Sequence, residues 1–204
     1  MGKSVAVTDG LPVRQARRLQ TRERLFGAAI AEFKRAGMTE ADVGAIVAAA
    51  GVAHGTFFFH FPTKEHVLLE LETREEKRIA SQFGRFVTKD HDLPSALKEA
   101  TRLVMALERR LGHVLFKEIL ALHFSQTRPP GEDGEDHPLV VLVAEEFERA
   151  QHRGEVAQDV IPMNSAVFFL LGLYGLLTTM NEWSTRDAVI EDYLKRILRS
   201  LQAA

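Results

Sequence analysis

Apolar residues along this chain recur mainly with the spacing of an amphipathic helix, whereas alternating, strand-like runs are scarce. Leu25, Ala29 and Phe33 form one such stripe, and Gly37 follows it, which predicts a first helix over residues 21–36. Comparable stripes continue to the C-terminal end, with no internal repeat. The pattern therefore predicts an all-α protein of about nine helices.

Residues 51–65, GVAHGTFFFHFPTKE, are the most informative segment because they combine a glycine turn, a short aromatic helix and a proline. Gly51 suits the left-handed backbone that ends a helix, and Pro62 disfavours helical angles at Phe61. The helix over residues 53–61 is therefore too short to be stable alone and needs the apolar helix before it as support. Two short helices joined by a tight turn predict a helix-turn-helix, whose second helix enters the DNA groove.

The segments beside this motif indicate how the chain is divided. The second helix begins near Thr39 or Asp42, which have the spacing of a capping box. Thr63 is the expected N-cap of a fourth helix, which is long enough to join two domains. We therefore expect a flexible arm at residues 1–20, a helix-turn-helix domain at 21–66 and a helical ligand-binding and dimerisation domain at 67–204.

Charge is unevenly distributed along the 204 residues. The net charge is -2, with 26% charged and 46% hydrophobic residues, as in an ordinary globular protein. Residues 14–35 contain seven basic and two acidic residues, which leaves about -7 for the remainder. One such run is usually a solvated helix face, but its position just before the helix-turn-helix favours a DNA-binding surface on an acidic body.

The composition also restricts the compartment and the chemistry. The chain has no cysteine, which excludes disulfides and thiolate metal sites and fits a reducing cytoplasm. Its longest apolar run, residues 166–177, is shorter than the roughly 20 residues of a membrane-spanning helix, and the N-terminal segment lacks the features of a signal peptide. We therefore predict a cytoplasmic protein that does not bind a membrane.

Residues 21–69 carry short motifs in a specific order: TRERLF in the first helix, AAGV in the turn, GT and HF in the next helix, and KE and LL after it. In this order they resemble the DNA-binding domain of the TetR/AcrR family of transcriptional regulators. Beyond about residue 80 the resemblance is limited to the helix count and the segment EFERAQHRGEV. It implies a regulator, most often a repressor, that binds near-palindromic double-stranded DNA as a homodimer and responds to a small-molecule effector.

The resemblance also implies which residues approach DNA. Thr56, His60 and Lys64 would hold or approach phosphates, although an ordinary surface lysine is an equally good interpretation of Lys64. The phenylalanines at 57–59 are expected to be mostly core packing, with one ring at most on a thymine methyl group. The other predicted DNA-contacting residues are Arg22, Ala53, His54, Phe58 and Phe59.

Several positions depart from the family pattern. Phe58 stands where a tyrosine usually contacts phosphate, Ala53 where a serine is common, and Asp42 near a position that commonly supplies a hydroxyl. Val47 and Phe57 are larger than the usual residues where the two helices meet, which predicts a wider crossing angle. These departures predict an unusual operator. They keep open the alternative of a dimeric helical ligand-binding or protein-interaction module with weak or lost DNA binding.

Residues 166–180 of the eighth helix, AVFFLLGLYGLLTTM, are apolar on nearly all sides and therefore need neighbours on nearly all sides. A central core helix accounts for this hydrophobicity, but not for the striped ninth helix at the end of the chain. We therefore predict that both helices pair with those of a second subunit. The predicted interface residues are Phe168, Gly172, Gly175, Thr179, Ile190, Leu194, Ile197 and Leu201.

No motif places the ligand pocket that the resemblance implies among helices four to eight. Apolar walls with a few polar anchors are typical of small-molecule sites, although each residue is individually more typical of core or surface. The candidates are Arg102, Met105, Phe116, His123, Phe124, Glu146, Arg149, Phe169 and Tyr174. Catalytic motifs are missing and the histidines are dispersed, so we predict no enzymatic activity, no cofactor and no metal site, with a helix-bundle enzyme as the remote alternative.

Overall fold

The computed structural model describes residues 13–126, 128–129, 137–180 and 184–201. Over these residues the chain is helical and has no β-strand, which confirms the predicted all-α class. The nine helices of this part of the chain are α1 (Val13–Ala36), α2 (Val43–Ala50), α3 (His54–His60), α4 (Lys64–Val87), α5 (Leu93–Leu111), α6 (His113–His123), α7 (Pro138–His152), α8 (Pro162–Thr179) and α9 (Arg186–Ser200).

Helix α1 begins at Val13 rather than at residue 21. The prediction of a flexible arm over residues 1–20 is therefore wrong for its C-terminal part, while its first twelve residues lie outside the described ranges. The added segment, VRQARRLQ, contains neither glycine nor proline, and most of its residues are good helix formers. About two extra turns of helix result, and they carry three arginines, Arg14, Arg17 and Arg18.

By their internal contacts the residues form two compact units, Met1–Val67 and Leu68–Ala204, and the boundary falls inside α4. In the first unit α2 packs against both α1 and α3. Burying one large apolar side chain contributes about 1.5–3 kcal/mol, so packing rather than length stabilises these short helices. The core side chains with at most 1% exposure include Leu25, Phe33, Ile46, Phe57 and Phe61.

Hydrogen bonds at both ends of α2 fix the turns around it. Asp42 is its N-cap and accepts a 2.8 Å hydrogen bond from the amide of Gly44, so the helix begins after Asp42 and not near Thr39. At the other end Gly51 lies in the left-handed region, with φ 64° and ψ 43°. These angles are accessible to glycine without steric strain, which explains why the sequence has glycine at this corner.

Helices α2 and α3 meet at an angle of 95°, which lies within the range of about 90–120° found in helix-turn-helix motifs. This range does not separate a wide crossing from an ordinary one, so the wider crossing angle expected from Val47 and Phe57 stays a prediction. Both side chains are buried, Phe57 completely, so their additional volume is accommodated in the core of the first unit.

In the second unit α5 contacts α6, α7, α8 and α9, and α7 packs along α8. One carboxylate is completely buried in this unit: Glu146 accepts a 2.8 Å hydrogen bond from Nε2 of His91 and lies 2.8 Å from Arg149. A buried charge needs such partners to offset its lost hydration. The fully buried aromatic rings of this unit include Phe83, Phe116, Phe147 and Phe169.

Helix α8 is only partly covered by its own chain. Phe168 is 66% exposed and Leu171 46% exposed, and a Cβ built on Gly175 would meet no atom within 4 Å. Together with the exposed Thr179 these residues form one face, called the α8 stripe below. By length and composition α8 is also apolar enough to cross a membrane, with 18 residues and a mean hydropathy of 1.3, a test that core helices pass as well.

The structure divides the eight residues predicted for a dimer interface. Phe168, Gly175 and Thr179 lie on the α8 stripe. On α9 and just after it, the side chains of Ile190, Leu194 and Leu201 are buried within their own chain, and Ile197 is half-buried. The apolar stripe of α9 is therefore used mainly for intrachain packing, which the periodicity alone could not distinguish from packing against a partner.

Gly172 has an intrachain role as well. A Cβ at this position would lie 2.4 Å from the hydroxyl oxygen of Tyr193 on α9. That hydroxyl donates a 2.7 Å hydrogen bond to the carbonyl of Phe169, and the two rings stack with centroids 6.3 Å apart. Burial raises the pKa of Tyr193 to about 12. Gly172 thus provides the space for Tyr193 of the same chain.

We predict that Gly172→Ala destabilises the protein, because the new methyl group displaces Tyr193 and removes its hydrogen bond. The expected loss is about 1–3 kcal/mol of unfolding free energy at fixed protein concentration, measured by chemical denaturation. Gly27→Ala is the matched control, because a Cβ there would meet no atom within 4 Å. The control should leave stability unchanged or raise it by up to about 1 kcal/mol. Equal stability of the two variants would contradict the close contact between position 172 and Tyr193.

Candidate functional site

Helix α3 has one buried face and one exposed face. Phe57 is completely buried, whereas Phe58 is 47% exposed and Phe59 is 65% exposed. Ala53 and His54 are exposed at the start of the helix, and Thr56 and His60 are half-buried. The expectation that the three phenylalanines are mostly core is therefore wrong for two of them. Their rings give the outer face of α3 an apolar character that a DNA groove can meet through thymine methyl groups.

The two exposed rings are held by neighbouring side chains. Phe58 lies edge-on to Phe57, with centroids 5.3 Å apart and an interplanar angle of 83°, and its ring also contacts that of His54, with centroids 5.7 Å apart. The guanidinium of Arg18 lies 5.2 Å from the centroid of Phe59. A cation over an aromatic face is attracted to it, so the first turns of α1 and the outer face of α3 form one continuous surface.

Arg22, a predicted DNA contact, is engaged within the fold. Its guanidinium donates a 2.6 Å hydrogen bond to the carbonyl oxygen of His60 and lies 4.2 Å from the ring centroid of Phe61. A cation at the C-terminal end of a helix is favoured by the helix dipole, so Arg22 stabilises the end of α3. Burial, with the charges of Arg22 and Arg18, lowers the pKa of His60 and favours its neutral imidazole.

Lys64 is also used inside the first unit. Its ammonium group donates to the carbonyl oxygens of Thr39, at 2.7 Å, and Ala41, at 3.3 Å. These carbonyls belong to the connection between α1 and α2, so Lys64 ties the start of α4 to that connection. Two of its three donor protons are thereby occupied, and the phosphate contact implied by the family resemblance is correspondingly restricted.

The sequence interpretation missed the surface formed by the first turns of α1. Arg14, Arg17 and Arg18 are all exposed there, and their spacing places them on neighbouring positions of the helix. The signal was present in the sequence, because a helix-forming segment without glycine or proline precedes the predicted start. The prediction began α1 at residue 21, so these arginines were counted in the local charge but not placed on the surface beside α3.

The second unit contains a cavity of about 240 Å³. Residues from α4, α5, α6, α7 and α8 line it, and most of them are apolar. Four of the nine predicted pocket residues lie in its wall. They are Phe116, His123, Phe124 and Tyr174.

The other five predicted residues lie elsewhere. Arg102 pairs with Glu99 at 2.6 Å on the surface of α5. Glu146 is buried and pairs with His91 and with the exposed Arg149. Phe169 packs against Tyr193, and Met105 is half-buried outside the cavity wall. These residues are on the predicted helices, but the sequence does not specify which way each helix is rotated towards the interior.

Three glutamates of α4 were missed as pocket residues. Glu72, Glu75 and Glu76 line the cavity together with His137, which precedes α7. Acidic residues on a helix are usually solvated, so the sequence favoured an outward orientation for them. Their spacing of three and four residues, one turn before the buried Ile79, is the signal that could have indicated a shared inward face.

The polar side chains of the cavity form linked pairs. The imidazole Nδ1 of His123 hydrogen-bonds with Glu72, and that of His137 lies 3.3 Å from Glu76. The two histidine rings contact each other, with centroids 5.1 Å apart. Among the described residues no group of three or more side chains has the arrangement of a metal site. The arrangement is suited to hold a small molecule by hydrogen bonds and charge at one end and apolar contacts at the other.

Comparison with known proteins gives concordant results. Residues 25–71 match the model of bacterial regulatory proteins of the tetR family. The HTH-type transcriptional regulator UidR of Escherichia coli K12 is 23% identical over 187 residues, which cover 90% of this chain and 94% of UidR. FadR from Thermus thermophilus, a repressor solved with lauroyl-CoA, shares the fold with a TM-score of 0.70 at 22% identity, covering 90% of this chain and 96% of FadR. RolR, solved with resorcinol, has a TM-score of 0.68 at 17% identity, over 92% and 90% of the two chains.

Glu32 connects α1 to the cap of α2 and gives this unit a defined pH dependence. It accepts hydrogen bonds from Arg35, at 2.6 and 2.8 Å, and from the amide of Asp42, at 3.3 Å, which lower its pKa from 4.5 to about 2. A carboxyl whose pKa is lowered by folding stabilises the fold above its ordinary pKa, and this contribution is lost as the pH falls towards the folded value.

We therefore expect Glu32→Gln to be less stable than the parent at about pH 7, with a difference that shrinks as the pH falls from about 4.5 to about 2. The midpoint of denaturant unfolding, measured at several pH values, checks this. Glu40→Gln, at an exposed glutamate of the same connection, is the control and should follow the parent at every pH. A Glu32→Gln difference that does not vary with pH would refute the assigned role.

Proposed function

We propose a repressor function for this chain, which belongs to the TetR family of bacterial transcriptional regulators and binds DNA. In the proposal a homodimer binds a near-palindromic operator, and a small molecule in the cavity of the second unit lowers the affinity for DNA. The observation that carries the proposal is the outer face of α3, where Phe58 and Phe59 are exposed on a helix that Phe57 and Phe61 anchor in the core. Because DNA is the target, we place the protein in the cytoplasm.

The contacts with DNA divide into two kinds. Phe59, with Ala53 and His54, is positioned to meet base edges and methyl groups, since these side chains are exposed on α3. Phe58 has no hydroxyl to donate to a phosphate, so backbone contacts must come from other residues. Thr56 and His60 supply some of them, and the exposed arginines of α1 supply charge. Arg22 and Lys64 act mainly by positioning α3 and α4.

The α8 stripe supports the proposed dimer. An exposed side chain as large as Phe168 beside the open surface at Gly175 suits close packing against a second helix. A two-fold axis would bring the same stripe of two subunits together, as in an isologous four-helix interface. Two copies of α3 would then meet successive half-sites about 34–36 Å apart.

Helix α4 provides the proposed link between ligand and DNA. It begins in the first unit, where Lys64 holds the connection between α1 and α2, and its later turns carry Glu72, Glu75 and Glu76 to the cavity wall. A ligand that contacts these turns can favour one position of α4 over another. It lowers DNA affinity only if it binds the two states unequally, because equal affinity shifts no equilibrium.

Two neighbouring structures contain small molecules, which supports a small-molecule ligand for this chain as well. FadR was solved with lauroyl-CoA and RolR with resorcinol. The cavity of this chain, about 240 Å³, lies slightly below the range of about 300–1,000 Å³ of drug-sized sites. A compact molecule therefore fits it better than a long acyl chain with its coenzyme.

The proposed DNA binding is tested by a mobility shift on the region upstream of the protein's own gene. We expect one dimer per near-palindrome, with affinity that falls steeply as salt rises, because bound cations leave the phosphates when arginines replace them. Arg17→Ala should weaken binding on all sequences and lower the salt slope by about one. Arg102→Ala, an exposed arginine of the second unit, is the control and should change neither quantity. Absence of any salt-sensitive shift would refute the proposal.

The proposed dimer is tested with Phe168→Glu, which places a charge at the largest exposed side chain of the α8 stripe. We expect the parent protein to have the mass of two chains in sedimentation equilibrium and the variant the mass of one, because a buried unpaired carboxylate is strongly unfavourable. Val114→Glu changes a similarly exposed residue of α6, 57% exposed against 66%, and should remain dimeric. A monomeric parent, or a dimeric Phe168→Glu variant, would exclude this interface.

A further inference from the structure

We propose that the ligand of the cavity is a compact apolar molecule with one protonated amino group, which binds between Glu76 and Tyr174. The proposal rests on the proposed function, since it assigns a chemical class to the effector of the same cavity. Its basis is the pattern of paired and unpaired polar groups in the cavity wall.

Of the three glutamates in the wall, two have arginine partners. Glu75 forms ion pairs with Arg110 and, at 3.5 Å, with Arg78. Glu72 lies 3.2 Å from Arg128 and also hydrogen-bonds with His123. These carboxylates are therefore largely neutralised by the protein itself.

Glu76 differs from them. Within the described part of the chain its one polar partner is Nδ1 of His137, at 3.3 Å, and no arginine or lysine pairs with it. Its side chain is only 25% exposed. Burial raises the pKa of Glu76, the nearby charge of Glu72 raises it further, and His137 opposes the shift only in part. The carboxylate is thus under-compensated, and a bound cation would supply the missing charge.

Tyr174 lies in the same part of the cavity wall. Burial raises the pKa of Tyr174, and the carboxylates of Glu76 and Glu72 raise it further. The negative potential of these carboxylates therefore extends to the phenol, where it favours a cation and disfavours an anion.

The remaining wall suits the apolar part of such a ligand. The ring of Phe116 contacts that of Tyr174 with centroids 6.4 Å apart, and Phe124 completes an aromatic side of the cavity. Aromatic faces attract organic cations as well as apolar groups. No arginine or lysine is among the described residues of the wall. The basic side chains left in the described wall are the imidazoles of His123 and His137, and each already pairs with a glutamate. A carboxylate or phosphate ligand would thus lose its hydration and compete with these glutamates for a partner.

A matched ligand series tests the proposal by calorimetry on the full chain at about pH 7. Phenethylamine, phenethyl alcohol and hydrocinnamate share an aromatic ring and differ in bearing a cation, a neutral hydroxyl and an anion. We expect the amine to bind at least about tenfold more tightly than the other two, as for a hydrogen bond to a charged group. Tighter or equal binding of hydrocinnamate, or no binding of the amine at about 10 mM, would overturn the proposal.

Variants identify the residue responsible. Glu76→Gln keeps the size of the side chain but removes its charge. It should therefore lower the affinity for phenethylamine by about tenfold or more and leave the affinity for phenethyl alcohol unchanged. Unchanged binding of the alcohol also shows that the cavity is intact. Glu145→Gln, on the exposed face of α7, is the control and should bind the amine like the parent. An amine affinity that is equal in parent and Glu76→Gln would overturn the assignment to Glu76.

The calorimetric test is independent of DNA. If the amine binds but leaves the operator complex intact in a mobility shift, the ligand class stands and the proposed regulation fails. If hydrocinnamate binds and dissociates the protein from its operator, the proposed regulation stands and the assignment of an amine ligand fails.

Discussion

Burial of Phe57 and Phe61 is the interaction on which the proposed DNA-binding surface depends. A helix of seven residues makes too few internal hydrogen bonds to offset the entropy of ordering it. The two rings contact each other at 5.9 Å, and Phe61 also contacts Phe26 of α1 at 6.4 Å. Because both rings hold α3 from the inside, its outer face can keep Phe58 and Phe59 exposed in a fixed orientation, which an isolated short helix could not do.

The elements predicted from the sequence are those with strong local signals. Gly51 and Pro62 limit α3 from both ends, and apolar spacing identifies the other helices, so the all-α architecture and the helix-turn-helix follow from the chain itself. The start of α1 was misplaced because arginines and glutamines give no apolar stripe, although they favour helix. Helix propensity and apolar periodicity are separate signals, and periodicity alone does not reveal the first two turns of α1.

Side-chain roles were less predictable than the helices that carry them. An apolar stripe shows that a face is buried but not what covers it, and on α9 Ile190 and Leu194 are covered by their own chain. A glutamate on a helix suggests solvent, and Glu76 instead lines a cavity. Both errors have the same origin: the sequence gives the angular positions of residues on a helix, whereas the rotation of that helix is set by tertiary packing.

The use of Arg22 and Lys64 inside the fold changes where DNA affinity must come from. Both side chains satisfy carbonyl oxygens, that of His60 and those of Thr39 and Ala41, so their charges are partly committed before DNA arrives. Phe58 supplies no hydroxyl, which removes a further phosphate contact. The exposed arginines in the first turns of α1 therefore become a more important source of positive charge beside α3. The extension of α1 and the lack of polar groups on α3 are thus complementary features of one surface, on which the proposed phosphate contacts come from α1 more than from α3.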